Sequence, residues 1–380
     1  MKKILAVVLT ASLLTLAALP AGAAAGAPAV DAAAALLMEK ETGEILFAQN
    51  EHSKLEPASV TKVMTLLLVM EALDGGRLNM EDMVSVSARA AGMGGSQVYM
   101  KEGEQFTVHD MLKCVAVVSG NDAAVALAEH IAGSEEEFTA RMNRRAAALG
   151  MEDTCFLNCT GLPAPGHLTS AHDIALMSRE LVLKHPSIRE FTTIWIDSIR
   201  EGAFQLANTN KLIRFYDGAT GLKTGSTDAA LYCLSATAER DGMELIAVVL
   251  KSPSSGQRFE SAKNMLTFGF ANYTLMDVYP ERALPPVDVL LGVQGQVQPR
   301  LARSSRILID KTELNSVTTD LHLSSDVEAP VEAGQKLGEM VIKVGDAVRE
   351  TIPVVASEGV ARLTVPGIFM KFMRGLFMAE

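Results

Sequence analysis

The chain has 380 residues, a formal charge of −11, and 48% hydrophobic but only 5% aromatic residues. That length suits two ordinary domains or one large domain with an appendage. The acidity argues against a nucleic-acid partner, which needs clustered Lys and Arg, and the apolar content excludes disorder and makes the 19 methionines core filler rather than a ligand set.

At the N-terminus, Lys2 and Lys3 precede an apolar run from Ile4 to about Ala18, then Pro20 and Ala21-Gly22-Ala23. This is the pattern of an export signal over residues 1–23, cleaved so that the mature chain begins near Ala24 and is two charges more acidic. An uncleaved anchor fits less well, because the apolar run is short and stops at Pro20 and Gly22.

Ala35–Met38 and Ile45–Phe47 flank the turn-like Glu41-Thr42-Gly43 and predict a β-hairpin. Pro57 then introduces a strongly apolar helix from about Ser59 to Leu73, closed by Asp74-Gly75-Gly76, which is expected to be the buried centre of its domain. Further helices are predicted over 108–118, 123–132, 135–149 and 170–183, the last with Ser170 as its cap. Beyond Lys223 the pattern turns strand-like. Residues 230–238 and 245–250 flank Arg240-Asp241-Gly242 as a second hairpin, and 257–273 returns to helix. Strands near both ends with helices between them imply an α+β domain in which the first and last segments share one sheet.

Pro285-Pro286 marks a boundary, after which short alternating runs to about Val365 predict a small β-sandwich. Pro366-Gly367 then opens an apolar tail. As a helix it places Phe369, Phe372, Met373 and Leu376 on one side, with Lys371 and Arg374 able to meet anionic head groups. Such a tail either packs on its own protein or lies on a membrane, and the export signal and terminal position favour the membrane.

Cys114, Cys155, Cys159 and Cys233 are too few for a disulfide scaffold in a chain of this length. Cys155 and Cys159 followed by His167 and His172 superficially suggest a zinc finger, but the gap between the pairs is short and the chain reads as exported, so no metal site is expected.

Three motifs, each present once and in fixed order, carry the chemistry: Ser59-Val60-Thr61-Lys62, Ser119-Gly120-Asn121 and Lys223-Thr224-Gly225. An S-x-x-K is expected roughly once by chance in a chain this long and a K-T-G about one time in ten, but the ordered triple is far rarer. A serine hydroxyl needs a base, and no histidine lies near Ser59 in the sequence. Lys62, one helical turn on, can serve if its amine is neutral, which burial and a second cation, for which Lys223 is the candidate, would favour. A serine at a helix N-terminus also brings a backbone N–H to where an oxyanion forms. Taken alone, S-x-x-K fits a helix cap with an exposed lysine equally well.

The three motifs, with Gly94-Gly95-Ser96-Gln97, Asp122-Ala123-Ala124, Thr160-Gly161-Leu162-Pro163, Asn208-Thr209-Asn210 and Gly221-Leu222, resemble the serine-type D-Ala-D-Ala carboxypeptidases of peptidase family S11, the low-molecular-weight penicillin-binding proteins. The resemblance covers about residues 30 to 275. It implies a penicillin-binding/β-lactamase-like transpeptidase domain over 24–280, a C-terminal β domain over 285–365 and an amphipathic membrane-association helix over 366–380. It further implies an exported enzyme, at the outer face of the cytoplasmic membrane or in the wall, that removes the terminal D-alanine from peptidoglycan stem pentapeptides, needs no cofactor, and takes β-lactams as covalent inhibitors.

By the same resemblance Ser59 is the nucleophile and Lys62 its base. Ser119 relays a proton to the leaving amine and Asn121 orients Lys62 and the substrate amide. Lys223 and Thr224, with Gly225 on the same edge strand, bind the substrate carboxylate; the N–H groups of Ser59 and Ser226 form the oxyanion hole; Arg258 adds positive charge. A β-lactamase or esterase on the same scaffold is the alternative. It is disfavoured because no E-x-x-L-N arrangement lies between Ser119 and Lys223 and because Gly120 stands where the lactamases carry Asp. A catalytically silent wall-binding protein is disfavoured by the intact Ser59 and Lys62.

Overall fold

The computed structural model describes residues 26–280 and 282–377. The export segment expected over residues 1–23 lies outside the described residues.

The expected hairpin forms from β1 (Ala34–Glu39) and β2 (Ile45–Gln49). A 3-10 turn over Ala58–Thr61 leads into helix α1 (Lys62–Asp74), which stops at Gly75 and Gly76. Helices α2 (Val108–Val118), α3 (Asn121–Ala132), α4 (Glu135–Ala148) and α5 (Ala171–Lys184) follow. Three of these start on a side-chain cap, with Thr107, Ser134 and Ser170 accepting from the backbone N–H three residues on. The chain then builds β3 (Ala219–Thr227), β4 (Leu231–Arg240) and β5 (Met243–Ser252), and closes the unit with α6 (Ser255–Asn272), capped by Ser254.

The five strands make one antiparallel sheet in the order β2-β1-β5-β4-β3, so the first and last segments share it as expected. Alternation along the central strands splits the core in two. Ala34, Leu36 and Met38 of β1 with Ile246, Val248 and Leu250 of β5 face the cluster that holds α1 to α5, while Ala35, Leu37, Leu245, Ala247 and Val249 face the cluster under α6. Both faces of the sheet are covered, which is why β5 reads as a continuous apolar run. Helix α1 is buried nearly all round and lies in the centre of the larger cluster.

Two differences from the sequence expectation matter for the site. Ser59 stands in a 3-10 turn rather than in the α-helix, and α3 begins at Asn121 rather than Ala123. The paired segments Met83–Ser85 with Gln105–Thr107, and Ile196–Ile199 with Phe204–Ala207, were not anticipated; ladders of three or four residues carry too little alternation to be read.

Tyr273–Asp277 pairs antiparallel with Arg306–Asp310 and ties the two parts of the chain together. Beyond it, as far as Thr364, the structure is built of strands apart from a 3-10 turn over Lys311–Ser316. A four-stranded antiparallel sheet (Pro299–Leu301, Ala347–Ala356, Lys336–Val344, Val317–Leu323) and a three-stranded one (Gln296–Val297, Val287–Leu290, Asp326–Glu328) bury two small clusters, centred on Ile342, Ile352 and Val354 and on Val287, Val289 and Val331. The backbone is helical again over Val365–Phe377. The side chains of Lys371, Phe372, Arg374 and Leu376, on which the amphipathic expectation partly rested, lie outside the described residues.

Candidate active site

Ser59 sits half-buried in the 3-10 turn, immediately before α1. Because three residues complete each 3-10 turn, positions i and i+3 eclipse, and Lys62 Nζ stands 3.1 Å from Ser59 Oγ. The turn is entered at Ala58 with φ 48, a conformation that a non-glycine residue adopts only under constraint. Gly161 supplies the constraint by close approach: a Cβ there would lie 1.8 Å from Ala58 O.

Lys62 is fully buried, so the cap-and-exposed-lysine alternative fails. Its amine also meets Asn121 Oδ1 at 2.6 Å and Thr160 O at 2.7 Å. Those two oxygens can only accept, whereas the Ser59 hydroxyl can donate. A neutral amine has two N–H bonds and one lone pair. With the N–H bonds committed to Asn121 and Thr160, the lone pair is left facing Ser59. Burial lowers the amine to about 7, with Cys159 and Asp122 pulling the other way.

Asn121 is the first residue of α3, and its amide orientation is set by Nδ2 donating to Gly94 O at 2.7 Å. Ser119 closes α2 in the left-handed conformation, φ 66, so Ser-Gly-Asn is indeed a helix-connecting turn as well as a site element. Its Oγ is buried and has no hydrogen-bond partner among the described residues. Leaving such a hydroxyl unpaired costs about 1–3 kcal/mol, a cost recovered when a ligand supplies the partner.

Lys223, Thr224, Gly225 and Ser226 lie on β3, the edge strand of the sheet. Gly225 lets this strand reach the turn that holds Ser59, since a Cβ would sit 2.9 Å from Ser59 N and 2.8 Å from Pro57 O. Lys223 is buried and donates to Thr224 O at 2.9 Å; Thr224 Oγ1 bonds Thr209 Oγ1 at 2.7 Å; Ser226 is exposed. Burial, and after it the charges of Lys62 and Arg258, hold the Lys223 amine well below its ordinary range. From the sequence, burial and Lys223 were both expected to favour a neutral Lys62; burial is the main cause of its lowered pKa, and the mutual repulsion of the two amines disfavours charging both together. Arg258, on α6, is buried behind the strand and donates to Gly225 O at 3.0 Å and Cys233 O at 3.2 Å.

An apolar cavity of ≈ 230 Å³ opens beside Pro57 and Ala58, walled by Leu162 to Leu168 and by Thr227. A wider concavity of ≈ 540 Å³ lies away from these groups, and its three arginines are paired: Arg306 with Asp277, Arg303 with Glu350 and Arg349 with Glu44.

The sequence profile of the D-alanyl-D-alanine carboxypeptidases matches residues 21–254, and that of the C-terminal domain of penicillin-binding protein 5 matches residues 283–362. The chain belongs to the D-alanyl-D-alanine carboxypeptidase family. It is 43% identical over 333 residues to the D-alanyl-D-alanine carboxypeptidase DacF of Bacillus subtilis, covering 86% of this chain and 85% of that one. Among solved structures, penicillin-binding protein 5 of Haemophilus influenzae superposes with a TM-score of 0.79 at 29% identity, over 88% of this chain and 99% of the other. Penicillin-binding protein D2 of Listeria monocytogenes, in its ampicillin-bound form, gives 0.58 at 32% identity over 63% of this chain and 98% of that one. The family is one of serine hydrolases acting on cell-wall peptidoglycan.

The carboxypeptidase thus brings Ser59, Lys62, Asn121 and the Lys223–Ser226 strand to one place, with Ser119 on the turn that starts α3. Several supporting residues carried no role that the sequence revealed. Thr160 gives its carbonyl to Lys62, Asp122 accepts from Val98 N and Met100 N to hold the 94–100 loop, and His167 bonds Thr61 at 2.9 Å. The strings around Thr160 and Thr209 are visible as family-like, but a backbone carbonyl acting on a lysine leaves no side-chain signature. The Cys155, Cys159, His167, His172 grouping does not form a metal site: Cys159 donates to Glu135 and His167 bonds Thr61, and among the described residues no three His, Cys, Asp or Glu are placed to hold an ion.

Proposed function

We propose that the carboxypeptidase uses Ser59 to open the bond between the two D-alanines that end a peptidoglycan stem peptide. Lys62 Nζ takes the hydroxyl proton as Oγ attacks the carbonyl carbon of the penultimate D-alanine. The developing oxyanion is held by the N–H groups of Ser59 and Ser226; losing one such donor costs about 3 kcal/mol in acyl-transfer enzymes. The proton passes through Ser119 Oγ to the departing amine, the C–N bond breaks, and D-alanine leaves an ester on Ser59. Water then hydrolyses that ester. Asn121 keeps the Lys62 lone pair aimed at Ser59 and holds the substrate amide, while Lys223, Thr224 and Gly225 receive the terminal carboxylate. Arg258 supplies field from behind the strand and braces it through Gly225 O and Cys233 O.

One observation carries this reading: a fully buried amine, lowered to about 7 and 3.1 Å from a serine hydroxyl, with both its other partners obligate acceptors. The test is release of D-alanine from a stem pentapeptide by purified enzyme, with Ser59→Ala as control. Undiminished release by that variant would overturn it. A β-lactam presents the same carbonyl but keeps its leaving group tethered, so penicillin acylates Ser59 and departs slowly; the relative whose structure carries ampicillin supports this.

The chain is exported by residues 1–23, acts at the outer face of the cytoplasmic membrane or in the wall through a catalytic unit over 24–280 and a β unit over 285–365, and associates with the membrane through 366–380. No helix among the described residues is long and apolar enough to cross a membrane. If deleting 366–380 leaves binding to lipid vesicles unchanged, the tail reading fails.

A further inference from the structure

In the C-terminal β unit most apolar side chains are gathered into two clusters; Leu314 and Val348 are exposed singly, and one group of three is exposed together. Val287 and Val289 are buried, but Leu290, Leu291 and Val293 just beyond them are 51%, 43% and 59% exposed. Strand alternation accounts for Leu290 alone. Three aliphatic side chains in four residues at one tip need a partner, because solvent gives no reason to collect them there.

The tip is not loose. Leu291 is held at φ 59, and a Cβ on Gly292 would meet Gln294 O at 2.6 Å. Val293 N donates to Ala361 O at 2.9 Å and Leu363 N to Leu291 O at 2.8 Å, so the tip is bonded to the segment that enters the terminal helix Val365–Phe377. That helix opens with Val365, Ile368, Phe369 and Met370, all exposed. Arg362 stands between tip and helix, paired with Glu328 at 2.9 Å on the surface. Two apolar elements thus share one edge of the β unit, joined by hydrogen bonds and accompanied by an exposed cation.

We infer that the Leu290–Val293 tip is a second membrane-contact element, which seats its three aliphatic side chains in the lipid interface beside the tail helix, with Arg362 at head-group level. The inference rests on the tail reading for its occupant and adds to it a rigid point of contact. One weak amphipathic element gives marginal, reversible binding, and a second signal makes it stable. A helix alone would tether the enzyme by a flexible end. A tip built into the β unit also fixes how the enzyme stands on the surface.

The test is sedimentation of the mature protein with vesicles of phosphatidylethanolamine and phosphatidylglycerol, comparing wild type with a tip variant (Leu290→Ser, Leu291→Asn, Val293→Ser) and a helix variant (Ile368→Ser, Phe369→Ser). Asn suits the left-handed position of residue 291. Unchanged acylation by labelled penicillin certifies the fold of each variant. The tip variant is expected to lower the vesicle partition coefficient about tenfold or more, and a tryptophan placed by Val293→Trp to shift to the blue and be quenched by brominated lipid. Wild-type partitioning by the tip variant, with Val293→Trp still quenched by aqueous iodide, overturns the inference and leaves the tail reading intact. A helix variant that binds as wild type while the tip variant does not overturns the tail reading and supports the tip. Wild type that ignores the vesicles overturns both, and a tip variant that only converts a dimer to a monomer assigns the tip to a second copy instead.

Discussion

Asn121 meets Lys62 through its oxygen. The carboxamide is locked that way because its nitrogen is donated to Gly94 O at 2.7 Å, which leaves Oδ1 at 2.6 Å from Nζ. Gly95 makes this approach tight, since a Cβ there would lie 2.9 Å from Asn121 Nδ2. An acceptor at this point ties up one N–H of Lys62 without adding negative charge. That distinction decides whether the amine is a base or a bystander.

Replacing the acceptor by a charged one should therefore be worse for the reaction than its near-identical shape suggests. Asn121→Asp puts a carboxylate against the amine and holds its proton on, raising the pKa by about 1–3 units. Acylation needs neutral Lys62, so in the wild type the rate constant for labelled-penicillin uptake rises as pH increases through about 7. In the Asp variant that rise moves to higher pH and the rate at pH 7 falls about tenfold or more. A profile superimposable on wild type would show that Lys62 is not the base.

Lys62→Met removes the amine proposed as the base while keeping an unbranched chain in a fully buried position. Acylation is expected to drop by roughly 10³-fold, within the range seen for loss of an acyl-transfer base. The stability comparison is more diagnostic. The folded pKa of Lys62 is lowered to about 7 from an ordinary 10.5, so between these values the unfolded chain carries a proton that the folded chain does not. Stability of the wild type then rises with pH across that window relative to Lys62→Met. Urea unfolding of both proteins at about pH 7 and about pH 9.5 reads the difference, and other groups cancel.

Two glycines of equal left-handed backbone should respond differently. Gly161 has φ +81, and a methyl added there would fall 1.8 Å from Ala58 O, whereas Gly76 has φ +66 with nothing within 4 Å. Gly76→Ala bears only the backbone strain, about 1 kcal/mol, and acylates normally. Gly161→Ala must push the Thr160 loop off the Ser59 turn, costing roughly 3 kcal/mol or more and most of the acylation rate. Thermal melts with penicillin uptake on the same samples separate the two.

Away from the chemistry, Glu244 is buried in β5 and gathers Arg189 at 2.5 Å, Lys40 at 3.2 Å and Thr220 Oγ1 at 2.7 Å. Glu244→Ala removes the carboxylate oxygen that Arg189 and Lys40 share, leaving Arg189 with Glu239 and Lys40 with Glu41. Since both cations are partly solvated, we expect a loss of about 2 kcal/mol, below the range for a fully buried pair, with acylation kinetics unchanged for the protein that remains folded.

Much of the scaffold was legible in the residues themselves. Helix α2 runs over its expected span of 108–118, the Asp241-Gly242 hairpin joins β4 to β5, and the expected cap at Ser170 marks a start that local backbone chemistry dictates. Apolar runs at both ends of the catalytic segment foretold a shared sheet because strands that bury both faces must lie in its middle. Ser59, Lys62, Asn121 and Lys223 could be picked out as candidates because three ordered motifs resemble those of the family, and the structure brings Ser59, Lys62 and Asn121 into contact.

What the sequence could not hold was everything set by one segment's distance from another. The 3-10 turn at Ser59 is packed closely because Gly161 and Gly225 let a distant loop and the edge strand approach it, and the lone pair of Lys62 faces Ser59 because the Thr160 carbonyl, 98 residues away, occupies one of its hydrogens. Residue identity determined the chemistry available to this chain, since functional groups and local backbone preferences travel with the residues. Tertiary packing alone decided protonation and aim, since desolvation and hydrogen-bond direction belong to the space around a group.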